Sequence, residues 1–137
     1  MPEIEARFAI CILQNRDQEL LLVKRSAKRS FGPSLWGFPG GHIEARESPL
    51  DCAWRELHEE LGPRNQVHLI KTAGPFYDEH WGGRYEAHLF LYDWLGGTIE
   101  LDHEHVTYRW LKLDQLDDYT LMPNITDNLM HLDLIKP

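Results

Sequence analysis

The sequence predicts a mixed α/β fold, with a sheet of strands in both orientations covered on both faces by helices. Three observations lead there. Short β-rich apolar runs recur between turn signals along most of the chain. A strongly signalled amphipathic helix interrupts them between Ser48 and Gly62, and a second amphipathic stretch follows near residue 125. The length of 137 residues suits one domain, residues 1–137, large enough for a real core.

Residues 7–13 form the first β-rich run, Asn15-Arg16-Asp17 a turn, and residues 20–24 a second apolar run. Trp36-Gly37-Phe38-Pro39-Gly40-Gly41 is too rich in Gly and Pro for a helix or a central strand. It reads as a short extended piece entering a loop. Ser48 is a good N-cap, Pro49 fits the first helical position, and Asp51 sits where a capping-box acid reaches back. Leu50, Ala53, Trp54, Leu57 and Leu61 recur at spacings of three and four, a stripe that faces a sheet. Gly62 and Pro63 stop the helix. Residues 67–73 and 85–94 read as strands flanking a loop over residues 77–84. Gly96-Gly97 marks a turn, residues 98–101 a short strand and residues 106–113 another. The last helix is expected over residues 125–134, with Leu129, Met130 and Leu132 inward.

The chemistry concentrates on the first helix. Glu56, Glu59 and Glu60 lie three and four residues apart, so a helix projects all three carboxylates from one side. Like charges at that spacing repel, and a divalent cation among them reverses the penalty. A run of Glu on a helix is otherwise a solvated face. Here the bare backbone of Gly40 and Gly41 precedes it, leaving a main-chain carbonyl free to join as a ligand.

Gly41, five residues, Glu47, seven residues, then Arg55-Glu56-Leu57-His58-Glu59-Glu60-Leu61-Gly62 resembles the Nudix box of the Nudix hydrolases. The one departure is Pro63, where the family has an aliphatic residue; it lies past the helix and bears on loop packing. The resemblance implies an α/β/α sandwich with a mixed sheet. It also implies that Glu56, Glu59 and Glu60 bind a divalent metal, Mg²⁺ in the main and Mn²⁺ as the alternative, with the Gly40 carbonyl completing the shell. Glu47 and Arg55 then brace the loop against the helix. The implied reaction is attack of water on a phosphorus of a nucleoside diphosphate derivative, with Glu56 or Glu104 as base.

Several residues outside the box carry two readings each. Lys24 and Arg25, at the end of the second strand, hold a substrate phosphate or simply end a strand in solvent. Glu104, on the loop before Tyr108, is expected as a further metal ligand or base. His103 and His105 flank it and read as surface histidines, no third partner being spaced for zinc. Asn124 reads a base edge or caps the last helix. Trp81 stacks on a base or caps the core.

Composition narrows the rest. The formal net charge of −8 argues against nonspecific nucleic-acid binding and for a cation at any polyphosphate site. No apolar run is long enough to span a membrane, and the first residues lack the basic and apolar regions of a signal peptide. Cys11 and Cys52 are isolated and read as buried free thiols of a cytoplasmic protein. The expectation is a hydrolase of small nucleotides, as a monomer or homodimer. A nucleoside triphosphate is the first choice of substrate, an ADP-ribose or GDP-mannose type the second. A noncatalytic nucleotide-binding module is the remaining class.

Overall fold

The computed structural model describes residues 3–136; residues 1, 2 and 137 of the expected domain lie outside them. The central strand is β1 (Ile4–Gln14). It runs parallel to β6 (Gly83–Gly97) from Ile4↔Arg84 to Gln14↔Asp93. Along its other edge it pairs antiparallel with the short β4 (Gly40–His42), Phe8↔His42 to Ile10↔Gly40, and it touches β2 (Leu20–Arg25) at Gln14↔Leu20. Strand β2 carries β7 (His105–Leu111) and β3 (Trp36–Gly37), both antiparallel. Beyond β6 lies β5 (Asn65–His80), its antiparallel hairpin partner.

Period-two alternation divides this sheet between two cores. Cys11, Leu13, Leu21 and Val23 pack under helix α1 (Pro49–Leu61) with Cys52, Ala53, Leu57 and Leu61. Ile12, Leu20 and Leu22 pack on the opposite face with Ile125, Leu129 and Leu132 of α2 (Ile125–His131) and its exit. Both thiols are buried and free, as expected. The sheet is mixed and covered on both faces.

Five local expectations need correction. The α1 stripe is rolled: Leu50 and Trp54 are 47% and 63% exposed, while Cys52 and Glu60 are buried. The helix turns its Glu60 side toward β4, and Trp54 packs on its own His58 instead, ring centroids 3.9 Å apart. At its start the Ser48 hydroxyl accepts the Asp51 amide at 3.1 Å, with no reciprocal Asp51 side-chain bond among the described residues. The 77–84 loop is strand: β5 and β6 continue to a tight turn at Trp81-Gly82, both with positive φ (50° and 76°), the geometry of a two-residue hairpin turn. Residues 98–101 form no strand, because the Glu100 amide bonds the Leu61 carbonyl at the end of α1 (2.8 Å) while Ile99 and Leu101 pack into the α1 core. The last helix stops at His131, short of residue 134, as the chain turns through Asp133 at φ 61°; Leu129 and Leu132 are buried and Met130 half-buried.

Candidate functional site

Strand β4 lies against the carboxylate side of α1 because its glycines carry no side chain. The Gly40 amide donates to Glu60 Oε2 at 2.7 Å. A Cβ on Gly41 would stand 2.7 Å from Glu56 Oε2 and closer still to the rest of that carboxyl, so the Glu56 head occupies the space a side chain would fill. Arg55 ties the assembly together. Its Nε and Nη2 grip Glu47 as a bidentate fork at 2.7 and 2.9 Å, and Nη2 also donates to the His42 carbonyl at 3.0 Å. Its Nη1 reaches Glu56 at 3.0 Å and Glu59 at 3.2 Å. These bonds hold the Glu47 carboxyl down at about 2. The loop brace expected of Glu47 and Arg55 is thus present in the geometry.

The three box glutamates occupy unequal environments. Glu59 is largely exposed, Glu56 is mostly covered, and Glu60 is 3% exposed. Burial lifts the Glu56 carboxyl to about 7, with Glu59 adding to the shift and Arg55 opposing it. Burial and then Glu56 push Glu60 well above the usual range. Behind Glu60 stands His105, which is buried and not on the surface as its sequence context suggested; His103 is exposed. His105 Nδ1 donates to Asp102 at 2.8 Å and Nε2 faces Glu60 Oε1 at 3.3 Å. Burial lowers the His105 pKa, against Asp102.

Among the described residues, no group of three or more His, Cys, Asp or Glu side chains is arranged to hold a metal ion, so the three carboxylates do not converge as they stand. Arg55 holds Glu56 and Glu59, and Glu60 is turned to the Gly40 amide. The donor set nevertheless fits a hard divalent cation. It is all oxygen, and burial and mutual repulsion already disfavour the charge on Glu56 and Glu60, an imbalance a cation offsets.

Beside β4 a cleft opens between the sheet, the hairpin tip and α2. Arg25, Arg29, Gly40, Gly41, Trp81 and Asn124 are among the residues that line it. Arg25 donates through Nε to the Phe31 carbonyl at 3.0 Å, and burial lowers its pKa. Lys24 is not part of the lining; it pairs with Trp36 and Thr107 in the sheet. Glu104 forms an ion pair with Arg29 at 3.0 Å, at the edge of the cleft. Trp81, 48% exposed, stacks on Phe31 with centroids 4.9 Å apart. Asn124 sits at φ 68° and makes no capping bond; its Nδ2 donates to His80 Nδ1 at 3.1 Å. Sequence reasoning missed Asp102, the buried role of His105, and Arg29. The Asp-x-x-His spacing at the start of β7 was the available signal for the first two. Arg29 lay in an irregular segment with no pattern to place it.

The fold has known counterparts. The crystal structure of a MutT protein from Methanosarcina mazei Go1 matches with a TM-score of 0.83 at 24% identity, over 98% of this chain and 96% of that one. By sequence, the chain is 34% identical over 106 residues to an RNA pyrophosphohydrolase of Rhodospirillum rubrum, covering 66% of this chain and 64% of the other. It is 30% identical over 118 residues to a CTP pyrophosphohydrolase of Escherichia coli, covering 83% and 82%. The chain spans less than two thirds of the length of several curated relatives it matches. The family model of the NUDIX domain matches residues 5–132. That match takes in the glycine strand, the carboxylate helix and the residues that line the cleft, and on it this chain belongs to the Nudix domain family.

Proposed function

We propose that the chain is a metal-dependent pyrophosphohydrolase of nucleoside triphosphates, releasing nucleoside monophosphate and pyrophosphate. The observation that carries this reading is the continuity of two features. Gly40 and Gly41 lie against Glu60 and Glu56 of α1 and also line a cleft with two arginines and several aromatic rings. The two pyrophosphohydrolase relatives support the reaction type.

In this proposal Glu56, Glu59 and Glu60, with the Gly40 carbonyl and Glu104, hold Mg²⁺, with Mn²⁺ as the alternative. When bound, the ion supplies charge neutralisation for the diphosphate and acidifies a water. Arg25 and Arg29 meet phosphate oxygens from the cleft wall, while Trp81 and Asn124 contact the nucleoside. Glu56 or Glu104 takes a proton as water forms a bond to an internal phosphorus. The P–O bond bridging the α- and β-phosphorus breaks, separating nucleoside monophosphate from pyrophosphate. We assign the activity to a single domain over residues 1–137, acting in the cytoplasm as a monomer or homodimer on a small-molecule substrate.

The test is a nucleotide panel with Mg²⁺ and chromatographic identification of products. Monophosphate and pyrophosphate from at least one triphosphate are expected. Turnover of ADP-ribose or GDP-mannose with none of any triphosphate would replace this reading with the diphosphate-sugar one. Binding without hydrolysis of anything would make the chain a noncatalytic module.

A further inference from the structure

Two polar side chains in the cleft have no hydrogen-bonding role in the fold. Asn128 is 5% exposed and makes no side-chain hydrogen bond with any described residue, yet it lines the cleft. Among the described residues no sealed side-chain nitrogen or oxygen lacks a partner, so the Asn128 amide is not entombed and its polar atoms open onto the cleft. Asp78 alternates along β5 with Phe76 and His80, on the side that faces α2. It too lines the cleft, and its side chain makes no hydrogen bond with any described residue. Burial raises its carboxyl, with His80 opposing, Asp127 adding and His131 opposing. A half-buried carboxylate and a buried amide left without partners both carry a desolvation cost, which a ligand that bonds to them offsets.

The third polar group, Asn124, spends its amide nitrogen on His80 and keeps its oxygen as an acceptor. Apart from Arg25 and Arg29, which the proposed reaction assigns to phosphate, the side chains beside α2 present two Asp78 oxygens and the Asn124 oxygen as acceptors, together with one Asn128 amide. The cleft walls include Phe8, Phe31, Trp81 and Tyr85, which suit a flat ring. Nucleobases differ in what they offer such a floor. Uracil and thymine flank a single N–H with two carbonyls, which would face the carboxylate. Adenine and cytosine each offer one amine beside a ring acceptor. Guanine alone among the common bases places a ring N–H next to an amine, matching both oxygens of one carboxylate, with a carbonyl beyond.

We infer that Asp78 and Asn128 make this cleft a guanine site, Asp78 accepting from N1–H and the N2 amine and Asn128 donating to O6. The inference rests on the nucleotide reading of the cleft given above and adds the base. Asp78 and Asn128 are specificity-determining residues in it, apart from the carboxylates of α1.

Equilibrium binding of GMP, IMP and UMP to the full chain with Mg²⁺, followed by calorimetry, tests this without requiring turnover. IMP keeps N1–H and O6 and lacks only the N2 amine, so GMP is expected to bind about tenfold to a hundredfold tighter, the range for one hydrogen bond to a charged group. Asp78→Asn should bring GMP and IMP within about threefold of each other, since the second acceptor becomes a donor. Asn128→Ala, as a second variant, should weaken GMP and IMP together, with melting curves reporting that each variant is folded. Equal binding of GMP and IMP by the parent, no detectable binding of any of the three, or an undiminished GMP preference in Asp78→Asn overturns the inference. Triphosphate hydrolysis without GMP over IMP discrimination removes only the guanine assignment. GMP-selective binding with no triphosphate turnover removes only the proposed reaction.

Discussion

Gly41→Ala is the substitution that separates the site from the fold most cleanly. The new Cβ would stand 2.7 Å from Glu56 Oε2 and closer to Cδ and Oε1. Moving Oε2 from 2.7 Å to the 3.4 Å of ordinary contact displaces the carboxylate by about 0.7 Å or more. The neighbour that must yield is the end of a flexible side chain, so β4 and its pairing with β1 survive. The Glu56 head loses its contact with Arg55 Nη1, now 3.0 Å, and its place in the donor set. Misplacement of a reacting group by about 1 Å costs on the order of a hundredfold, and that loss of kcat/KM is the expected result, with a melting temperature close to the parent's. Gly40→Ala provides the contrast. There the Cβ would meet the Ala9 carbonyl oxygen and stand 3.1 Å from the Ile10 Cα, all backbone, at a φ of 152°. That variant should lose about 1–3 kcal/mol of stability or more. The assay is steady-state hydrolysis with saturating Mg²⁺ beside urea and thermal unfolding of both variants. Parent-like turnover in Gly41→Ala, or destabilisation equal to that of Gly40→Ala, would refute the reasoning.

Glu59→Gln should keep the fold and lose most turnover, since a formal charge leaves the donor set at constant shape; activity within about twofold of the parent at saturating Mg²⁺ would remove Glu59 from the ligands. Glu56→Gln is expected to cost a hundredfold or more and Glu104→Gln less than about tenfold, because a lost base costs roughly 10²–10⁴; the reverse ranking moves the base to Glu104. Asn124→Gly retains the left-handed backbone at φ 68° while deleting the amide, so preference among bases should change more than turnover on the best one. An equal loss on all substrates assigns Asn124 a structural role. His105→Phe leaves Glu60 and Asp102 without their buried partner and should destabilise the protein by about 1–3 kcal/mol in urea unfolding, against less than about 0.5 kcal/mol for His103→Ala; equal effects would contradict the buried chain from Asp102 to Glu60.

Local chemistry is what the sequence alone determined. The α1 boundaries follow from Ser48, Pro49 and Gly62, because caps act within one turn. That Glu56, Glu59 and Glu60 leave one side of α1 follows from helix periodicity, and the pairing of Arg55 with Glu47 was implied by the box. Both faces of the sheet being covered follows from unbroken apolar runs such as residues 20–23. Tertiary structure decided whatever depends on partners remote in sequence. The polar stretch Tyr77–Arg84 carries no strand pattern of its own, yet β6 supplies the hydrogen bonds that extend β5 through it to His80. Residues 98–101 look like a strand locally, but the Leu61 carbonyl at the end of α1 takes the Glu100 amide. Leu50 and Trp54 satisfy the helical stripe and remain exposed, because the position of β4 rolls α1 toward Glu60. His103 and His105 are equivalent on paper; only the packing of β7 beneath α1 buries the second one against Glu60. Asp78 and Asn128 come from elements far apart in the chain, and only the closure of α2 over the sheet sets them in one cleft. Caps, periodicity and motif spacing are short-range and survive in a linear string, whereas burial and pairing are created when distant segments exclude water from one another.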